Sequence, residues 1–232
     1  MRNCSLTFAQ LPAPPADNLQ EQLYQSIRAD LLAGRYAPGQ ALKIRDLARQ
    51  WGTSAMPVRT ALQRLVAEGA LEGEPQRSLR VPPMTRERYE QLLPVRLALE
   101  GLAVELAVPR LSPEDLECLR HCVAAMQNAV QQGSVAQYLD QNSHFHLHLY
   151  QRCANPLLLR MIDSLWLQVG PFFNRLFSEA DLSLRLNQFH AEVLAALERG
   201  DATAARQALE QDLRYFGHYL LGLLALEEQT RL

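Results

Sequence analysis

Four polar side chains fall on the apolar faces of helical segments in the second half of the sequence. They are Asn142, His146, His190 and Asp212. Helical periodicity places each of them among core residues, so each should be buried and should need a polar partner. Two imidazoles, a carboxylate and an amide oxygen that point into one bundle can satisfy one another through a divalent metal ion. The sequence therefore predicts a buried metal site, with zinc, manganese and nickel as candidate ions. The alternative is direct hydrogen bonding without a metal.

The histidine-rich run that contains this site allows more than one pairing of ligands. Asp140 and His144 are four residues apart, and so are His144 and His148. Those three residues share a helix side with several glutamines and are expected to face solvent. Because Asn142 and His146 follow the apolar stripe instead, we assign these two to the buried site.

A charged pair lies on the apolar stripe of the first helical segment beyond residue 84. Arg96 and Glu100 are one helical turn apart. A guanidinium held inside a bundle can grip a carboxylate through two parallel hydrogen bonds. We therefore assign both residues to an effector-binding site that takes a small carboxylate beside the histidines.

The first third of the chain has a different charge and suits a different partner. Residues 1–83 carry ten Arg and Lys against seven Asp and Glu, a net charge of +3, and the remaining residues carry −5. A basic segment joined to an acidic one fits a module that faces phosphates and a second module with another task. The arginines assigned to DNA contacts are Arg45, Arg49, Arg59, Arg77 and Arg80.

A tight turn at residues 51–54 separates two short helical segments, which is typical of a helix-turn-helix. The first segment runs from Ile44 to Trp51, and the second follows Ser54 to about Glu68. The second helix would enter the major groove and present its N-terminal residues to base edges. These residues complete the predicted DNA contacts: Ser54, Ala55, Met56 and Pro57. Two β-prone pieces at 70–72 and 79–81 predict a wing.

The elements that carry these residues divide the chain into three parts. Residues 1–17 are predicted to be a flexible tail, 18–83 a winged helix-turn-helix domain, and 84–232 an all-helical domain for effector binding and dimerisation. Helices are predicted at roughly 85–107, 112–132, 134–153, 156–177, 182–199 and 202–229. The predicted fold class is mostly α, with a small β wing in the N-terminal domain and an all-α bundle of six or seven helices after it.

The N-terminal third resembles the GntR superfamily of regulators. The residues that carry the resemblance are Leu32-Ala33-Gly34-Arg35-Tyr36-Ala37-Pro38-Gly39, Leu47-Ala48, Ser54, Pro57-Val58-Arg59, Ala61-Leu62, Leu65 and Glu68-Gly69. Three positions differ from the usual pattern, which has Arg at Ala55, Glu at Thr60 and Gly at Ser78. Loss of the arginine removes one base contact, so the operator sequence should differ from the family norm.

Residues 86–222 resemble the FCD domain of the FadR-like branch of that superfamily. The matching features are Arg96 with Glu100, Phe145-His146, Asn155-Pro156, His190 and Gly200-Asp201. Many members bind a metal through an acid, a His four residues later and two further His. Mapped here, these ligands fall on the four polar residues of the apolar stripes, with Asn at 142 and Asp at 212 as departures. The resemblance also implies a homodimer formed through this domain.

Together these features predict a bacterial transcriptional regulator rather than an enzyme. It should bind an inverted-repeat DNA operator and respond to a small carboxylate. Because the chain has neither an apolar leader nor an apolar run of about 18 residues, we expect a cytoplasmic protein without a membrane partner.

A metal-dependent hydrolase built on His146, His190 and Asp212 is one alternative, but no nucleophile or catalytic-base motif accompanies them. A ligand-independent architectural DNA binder is another, but it would not need the buried polar residues.

Overall fold

The computed structural model describes residues 19–74, 78–173 and 180–230, which contain nine α-helices and three short strands. The helices are α1 (Leu19–Leu32), α2 (Ile44–Gln50), α3 (Ala55–Ala67), α4 (Arg86–Ala107), α5 (Pro113–Gln131), α6 (Val135–Gln151), α7 (Pro156–Phe173), α8 (Ala180–Glu198) and α9 (Ala202–Thr230). The predicted tail at 1–17 and Arg77 lie outside the described residues. The prediction of a mostly helical chain with a small β wing is confirmed.

The described residues form two compact units. The winged unit contains residues 19–83 together with 163–173, and the helical unit contains 84–162 and 180–230. The helix α7 contributes its first residues to the helical unit and its remaining residues to the winged unit. In the described part of the chain, no helix is both long enough and apolar enough to cross a membrane.

The wing is a three-stranded antiparallel sheet. Its strands are β1 (Ala41–Leu42), β2 (Glu72–Glu74) and β3 (Ser78–Arg80), with β3 in the middle. The sequence predicted only two strands and placed the first of them at 70–72. Ala70 and Leu71 are instead buried in the core of the winged unit, because the chain turns at Gly69 with a positive φ and reaches the sheet only afterwards.

The second part of α7 supplies core residues to the winged unit. Leu167 is fully buried among the apolar residues of α1, α3 and the wing. Arg28 of α1 forms a buried ion pair with Asp163, and the Ser164 hydroxyl donates to the Glu68 carbonyl at 2.8 Å. Gly170 lies against the backbone of α1, where an added Cβ would stand 2.9 Å from Leu32 Cα.

The helical unit consists of α4, α5, α6, α8, α9 and the start of α7, and the pairs α5–α6, α4–α9 and α8–α9 pack most extensively. Its helix ends follow the sequence. Ser112 and Asp115 form a reciprocal capping box at α5, and the Asp201 side chain accepts from the Ala204 amide at 3.0 Å. These caps fix the starts of α5 and α9, and α9 is one of the helices that carry the buried polar site.

Candidate nucleic-acid interface and buried ligand site

The N-terminal end of α3 is exposed where the sequence predicts contact with DNA. Ser54 occupies the N-cap position, but its side chain makes no capping hydrogen bond. Ser54, Ala55 and Met56 are exposed, and Pro57 is half-buried. Because Val58 is fully buried in the core, α3 is anchored along one face and presents its first turn to solvent. A recognition helix that reads base edges needs this presentation.

Four of the five arginines assigned to DNA lie among the described residues of the winged unit. Arg45 and Arg49 are exposed on α2, and Arg59 is half-buried on α3. Arg80 is exposed on β3, and its Nε donates to Glu72 of the neighbouring strand at 2.7 Å. Surface ion pairs of this kind are weak, so phosphates can compete for the guanidinium.

The helical unit brings three of the four predicted metal ligands together. His146 comes from α6, His190 from α8 and Asp212 from α9, and all three side chains are buried. Nε2 of His146 lies 3.0 Å from Nε2 of His190 and 3.5 Å from Oδ2 of Asp212. Asn142 is also buried, one turn before His146 on α6. Three helices thus converge on one buried polar site.

A hydrogen-bond chain behind His146 determines which imidazole nitrogen carries the proton. The Tyr150 hydroxyl donates to Glu100 at 2.7 Å, and Glu100 is paired with Arg96 at 2.7 Å. The Tyr150 oxygen lies 3.1 Å from Nδ1 of His146. Since the Tyr150 proton is directed to the carboxylate, Nδ1 of His146 must be the donor in that contact. Nε2 therefore keeps its lone pair and faces His190 and Asp212.

Burial controls the charges in this site. Desolvation raises the pKa of Asp212 from 3.8 to about 8, with a further increase from Glu100, although Arg96 opposes it. Desolvation holds the pKa of His146 well below 6.5, and His190 and Arg96 lower it further. Without a further cation the site therefore favours neutral imidazole at His146 and a protonated carboxyl at Asp212 near neutral pH.

The donor atoms fit a divalent metal ion. Metal–imidazole bonds of about 2.0–2.1 Å place two ligand nitrogens about 2.9–3.4 Å apart, depending on coordination geometry. The 3.0 Å between the His146 and His190 nitrogens agrees with this range. In addition, Oδ1 of Asp212 is buried and accepts no hydrogen bond from the described residues. A cation would satisfy that oxygen and stabilise the ionised carboxylate.

The prediction that His148 faces solvent is wrong. His148 is buried, and its Nε2 lies 2.9 Å from Oδ1 of Asp115. The same oxygen accepts from Nε of Arg152 at 2.8 Å. The position looked polar from α6 alone, but α5 packs against that side and its capping box holds Asp115 in reach of the imidazole. His148 thus has a structural partner of its own, separate from the cluster at His146.

Comparison with known proteins places both units in one family. Residues 19–81 match the model of the bacterial regulatory proteins of the gntR family, and residues 91–215 match the FCD domain model. The Escherichia coli transcriptional regulator McbR is 34% identical over 197 residues, which cover 84% of this chain and 89% of McbR. The chain belongs to the GntR family.

Solved structures agree with this membership. A structure of E. coli McbR/YncC superposes with a TM-score of 0.81 at 30% identity and covers 91% of this chain and 99% of that one. A putative GntR regulator from Rhodococcus sp. RHA1 shares the fold, with a TM-score of 0.73 at 20% identity over 88% of this chain and 97% of that one. The protein is therefore a DNA-binding transcriptional regulator with an FCD domain. Its relatives are regulators rather than enzymes, which confirms the prediction that this GntR-family chain is not an enzyme.

Sequence reasoning missed Tyr150, which links His146 to Glu100. Its position carried a signal, because it follows His146 by four residues and so continues the same helix face. Tyr150 also connects His146 to Glu100 and Arg96, the two residues that the sequence assigned to effector binding. In the structure Arg96 donates to Glu100, and Glu100 accepts from the tyrosine that contacts His146.

Proposed function

We propose that this GntR-family regulator binds an inverted-repeat operator as a homodimer and that a small carboxylate bound in the helical unit changes its affinity for that operator. The observation that carries the proposal is the convergence of His146, His190 and Asp212 in one buried site. A GntR-family winged helix supplies the DNA-binding part, and the protein would act in the cytoplasm on chromosomal DNA.

His146, His190 and Asp212 would hold a divalent metal, with Asn142 as a fourth, weaker ligand. A metal with three or four protein ligands keeps open coordination positions, which a carboxylate oxygen of the effector can fill. The lone pair on Nε2 of His146 supports this role, because a ligating imidazole must be unprotonated at the ligating nitrogen. Zinc, manganese and nickel suit an imidazole and carboxylate donor set.

Arg96 and Glu100 are proposed to orient the site and, through it, the effector. Arg96 is nearly fully buried and holds Glu100, which in turn accepts from Tyr150. Chains of this kind fix the ring orientation and tautomer of a ligating histidine. Because Glu100 neutralises Arg96, a preference for an anionic effector over a neutral one would come from the bound divalent cation.

Effector binding would draw helices of the site together and shift the equilibrium between states that differ in operator affinity. The site takes its donors from α6, α8 and α9, so a ligand that bridges them favours the arrangement in which all three are close. The coupling free energy between effector and DNA is expected to be about 1–3 kcal/mol.

A dimer is proposed because one recognition helix reads only a few base pairs, whereas two-fold dimers read inverted repeats. Sedimentation of the free protein and of its complex with an operator duplex measures the stoichiometry. Two protomers per inverted repeat are expected. One protomer bound to a single half-site with undiminished affinity would contradict the dimer.

The metal is tested by elemental analysis of protein purified without chelator, and again after incubation with zinc, manganese or nickel. Wild type should retain about one equivalent, and His146→Ala and His190→Ala should retain none. His121→Ala removes an exposed histidine on α5 and is the matched control, since it should bind metal as wild type does. Wild type that remains free of metal under all these conditions would show that the cluster is held by hydrogen bonds alone.

The effector is tested by measuring operator affinity with a panel of small mono- and dicarboxylates. At least one should change the affinity by about 5- to 150-fold, the range that typical allosteric coupling covers. The His146→Ala and His190→Ala variants should lose that response. If both variants still respond as wild type does, the effector site lies elsewhere in the protein.

A further inference from the structure

The first turn of α3 leaves an apolar side chain in water. Met56 is 65% exposed, the highest value among the exposed large hydrophobic side chains in the described part of the chain. Two residues later Val58 is fully buried, so α3 does have an apolar environment, but Met56 points away from it. A methionine side chain that stays this exposed buries little apolar surface and so contributes little to folding stability.

The groups around Met56 offer few hydrogen-bond donors. Ala55 precedes it and is exposed with only a methyl group. Thr60, one turn further on, uses its hydroxyl proton inside the helix and donates to the Met56 carbonyl at 3.2 Å. Apart from the Ser54 hydroxyl at the N-cap, the first turn of α3 therefore presents the methyl group of Ala55 and the thioether of Met56 to solvent.

The surroundings of this apolar end favour DNA as the occupant. Exposed Arg45 and Arg49 lie on α2, the helix directly before α3, and exposed Arg80 lies in the wing of the same unit. Guanidinium groups suit the phosphates on both sides of a groove. An exposed apolar side chain on a unit whose surface also carries these cations is complementary to a DNA groove, which is bordered by phosphates and exposes base edges.

In the major groove, the apolar group on a base edge is the 5-methyl of thymine. We propose that Met56 specifies a thymine in each operator half-site by packing its thioether against that methyl. The unbranched methionine side chain adapts to such a surface better than a stiff one. This inference rests on the proposed operator binding and adds the base that one residue reads.

The test replaces single thymines by deoxyuridine, which lacks only the 5-methyl and keeps every hydrogen-bonding group. The operator is first obtained by selecting a random-sequence duplex pool with the wild-type protein. Each thymine of the selected site is then replaced in turn, and affinity is measured at fixed salt. At one position per half-site, uridine should weaken binding by about fourfold, the factor that burying one methyl-sized group contributes.

Met56→Ala should bind the selected operator more weakly and should bind its thymine and uridine forms equally. Met56→Leu keeps an apolar side chain and should still prefer thymine. Leu19→Ala is the matched control, because it also truncates an exposed apolar residue of the winged unit and should keep the full preference. All three variants should melt at the wild-type temperature, since both positions are exposed.

Two outcomes overturn the inference and leave operator binding intact. One is a wild-type protein that tolerates uridine at every thymine of its selected site. The other is a Met56→Ala protein that still discriminates between the two forms as wild type does. A protein that selects no sequence from the pool overturns the proposed operator binding and this inference together.

Discussion

At the scale of single residues, one hydrogen-bond chain decides what the buried site can do. Arg96 holds Glu100, Glu100 accepts from Tyr150, and Tyr150 accepts from Nδ1 of His146. The chain leaves Nε2 of His146 as an acceptor or ligand. His190 and Asp212 approach that nitrogen from α8 and α9. The chemistry of the site thus depends on a tyrosine that is not itself a ligand.

Replacing this tyrosine tests the chain. Tyr150→Phe removes the oxygen that orients His146 and leaves Glu100 with one acceptor site unfilled. Metal affinity should fall by about 10- to 100-fold, as it does when an outer-shell partner of a ligand is lost. The metal-free protein should lose about 1–3 kcal/mol of unfolding free energy. Chelator competition and urea denaturation measure the two effects, with Tyr36→Phe, half-buried in the winged unit, as the control.

The buried carboxyl at Asp212 makes the stability of the metal-free protein depend on pH. Its pKa is raised from 3.8 to about 8, so between these values the folded state binds one proton that the unfolded state has released. The contribution of Asp212 is therefore most favourable below about pH 4 and is lost as pH rises towards 8. The pKa of His146 is lowered by folding, so the contribution of His146 to stability increases with pH below its unfolded value of 6.5. The two effects oppose each other, and the comparison must therefore isolate Asp212.

Asp212→Asn provides that comparison, because an amide resembles the protonated carboxyl. With a chelator present, the variant should be more stable than wild type at pH 8 by on the order of 1–3 kcal/mol, and the two should converge near pH 4. Urea denaturation at both pH values measures the difference. A difference that does not change with pH would show that Asp212 is ionised in the folded protein across the whole range.

At the scale of elements, α7 has two different environments along its length. The sequence predicted one helix at about 156–177 and placed all of it in the helical domain. The structure divides it, so that residues 156–162 belong to the helical unit and 163–173 to the winged unit. The Arg28–Asp163 pair and the close approach of Gly170 to Leu32 hold the second part against α1.

Gly170 tests that packing, since a side chain there has no room. The Cβ of Gly170→Ala would lie 2.9 Å from Leu32 Cα and 3.1 Å from the Leu31 carbonyl oxygen, and backbone atoms cannot move aside easily. We expect a loss of about 1–3 kcal/mol of unfolding free energy. Gly222→Ala in α9 is the matched control. Nothing lies within 4 Å of its Cβ, so it should be neutral or stabilising by about 0.5–1 kcal/mol. Equal effects of the two changes would argue against the close contact.

At the scale of the whole molecule, the winged unit carries the GntR DNA-binding domain and the helical unit carries the FCD domain. The sequence has a net charge of +3 before residue 84 and −5 after it, and residue 84 is the main boundary between the units, although residues 163–173 also belong to the winged unit. The net charge of the whole chain is close to zero although its N-terminal part is basic. Operator affinity should therefore depend on the arginines of the winged unit and on salt, even though the net charge of the chain is −2.

Arg45→Ala and Arg59→Ala should each weaken operator binding by about 1–3 kcal/mol if they contact bases. If instead they contact phosphate, the loss should be smaller, and the slope of log affinity against log salt should decrease by about one. Titrations at several salt concentrations separate the two cases. Arg110→Ala removes the same charge from the helical unit and should change neither quantity. Wild-type affinity in both winged-unit variants would mean that α2 and α3 do not face the DNA.

The sequence by itself determined the fold class, the helix-turn-helix and the burial of Asn142, His146, His190 and Asp212, but it misplaced His148. Periodicity and turn residues are local, and they report which side of a helix faces a core. They do not report which residue of another helix that side meets. Only the tertiary structure joined Tyr150 to Glu100 of α4, gave His148 the Asp115 carboxylate of α5, and assigned residues 163–173 to the winged unit. Each of these depends on how elements distant in sequence pack together, and no local pattern encodes that choice.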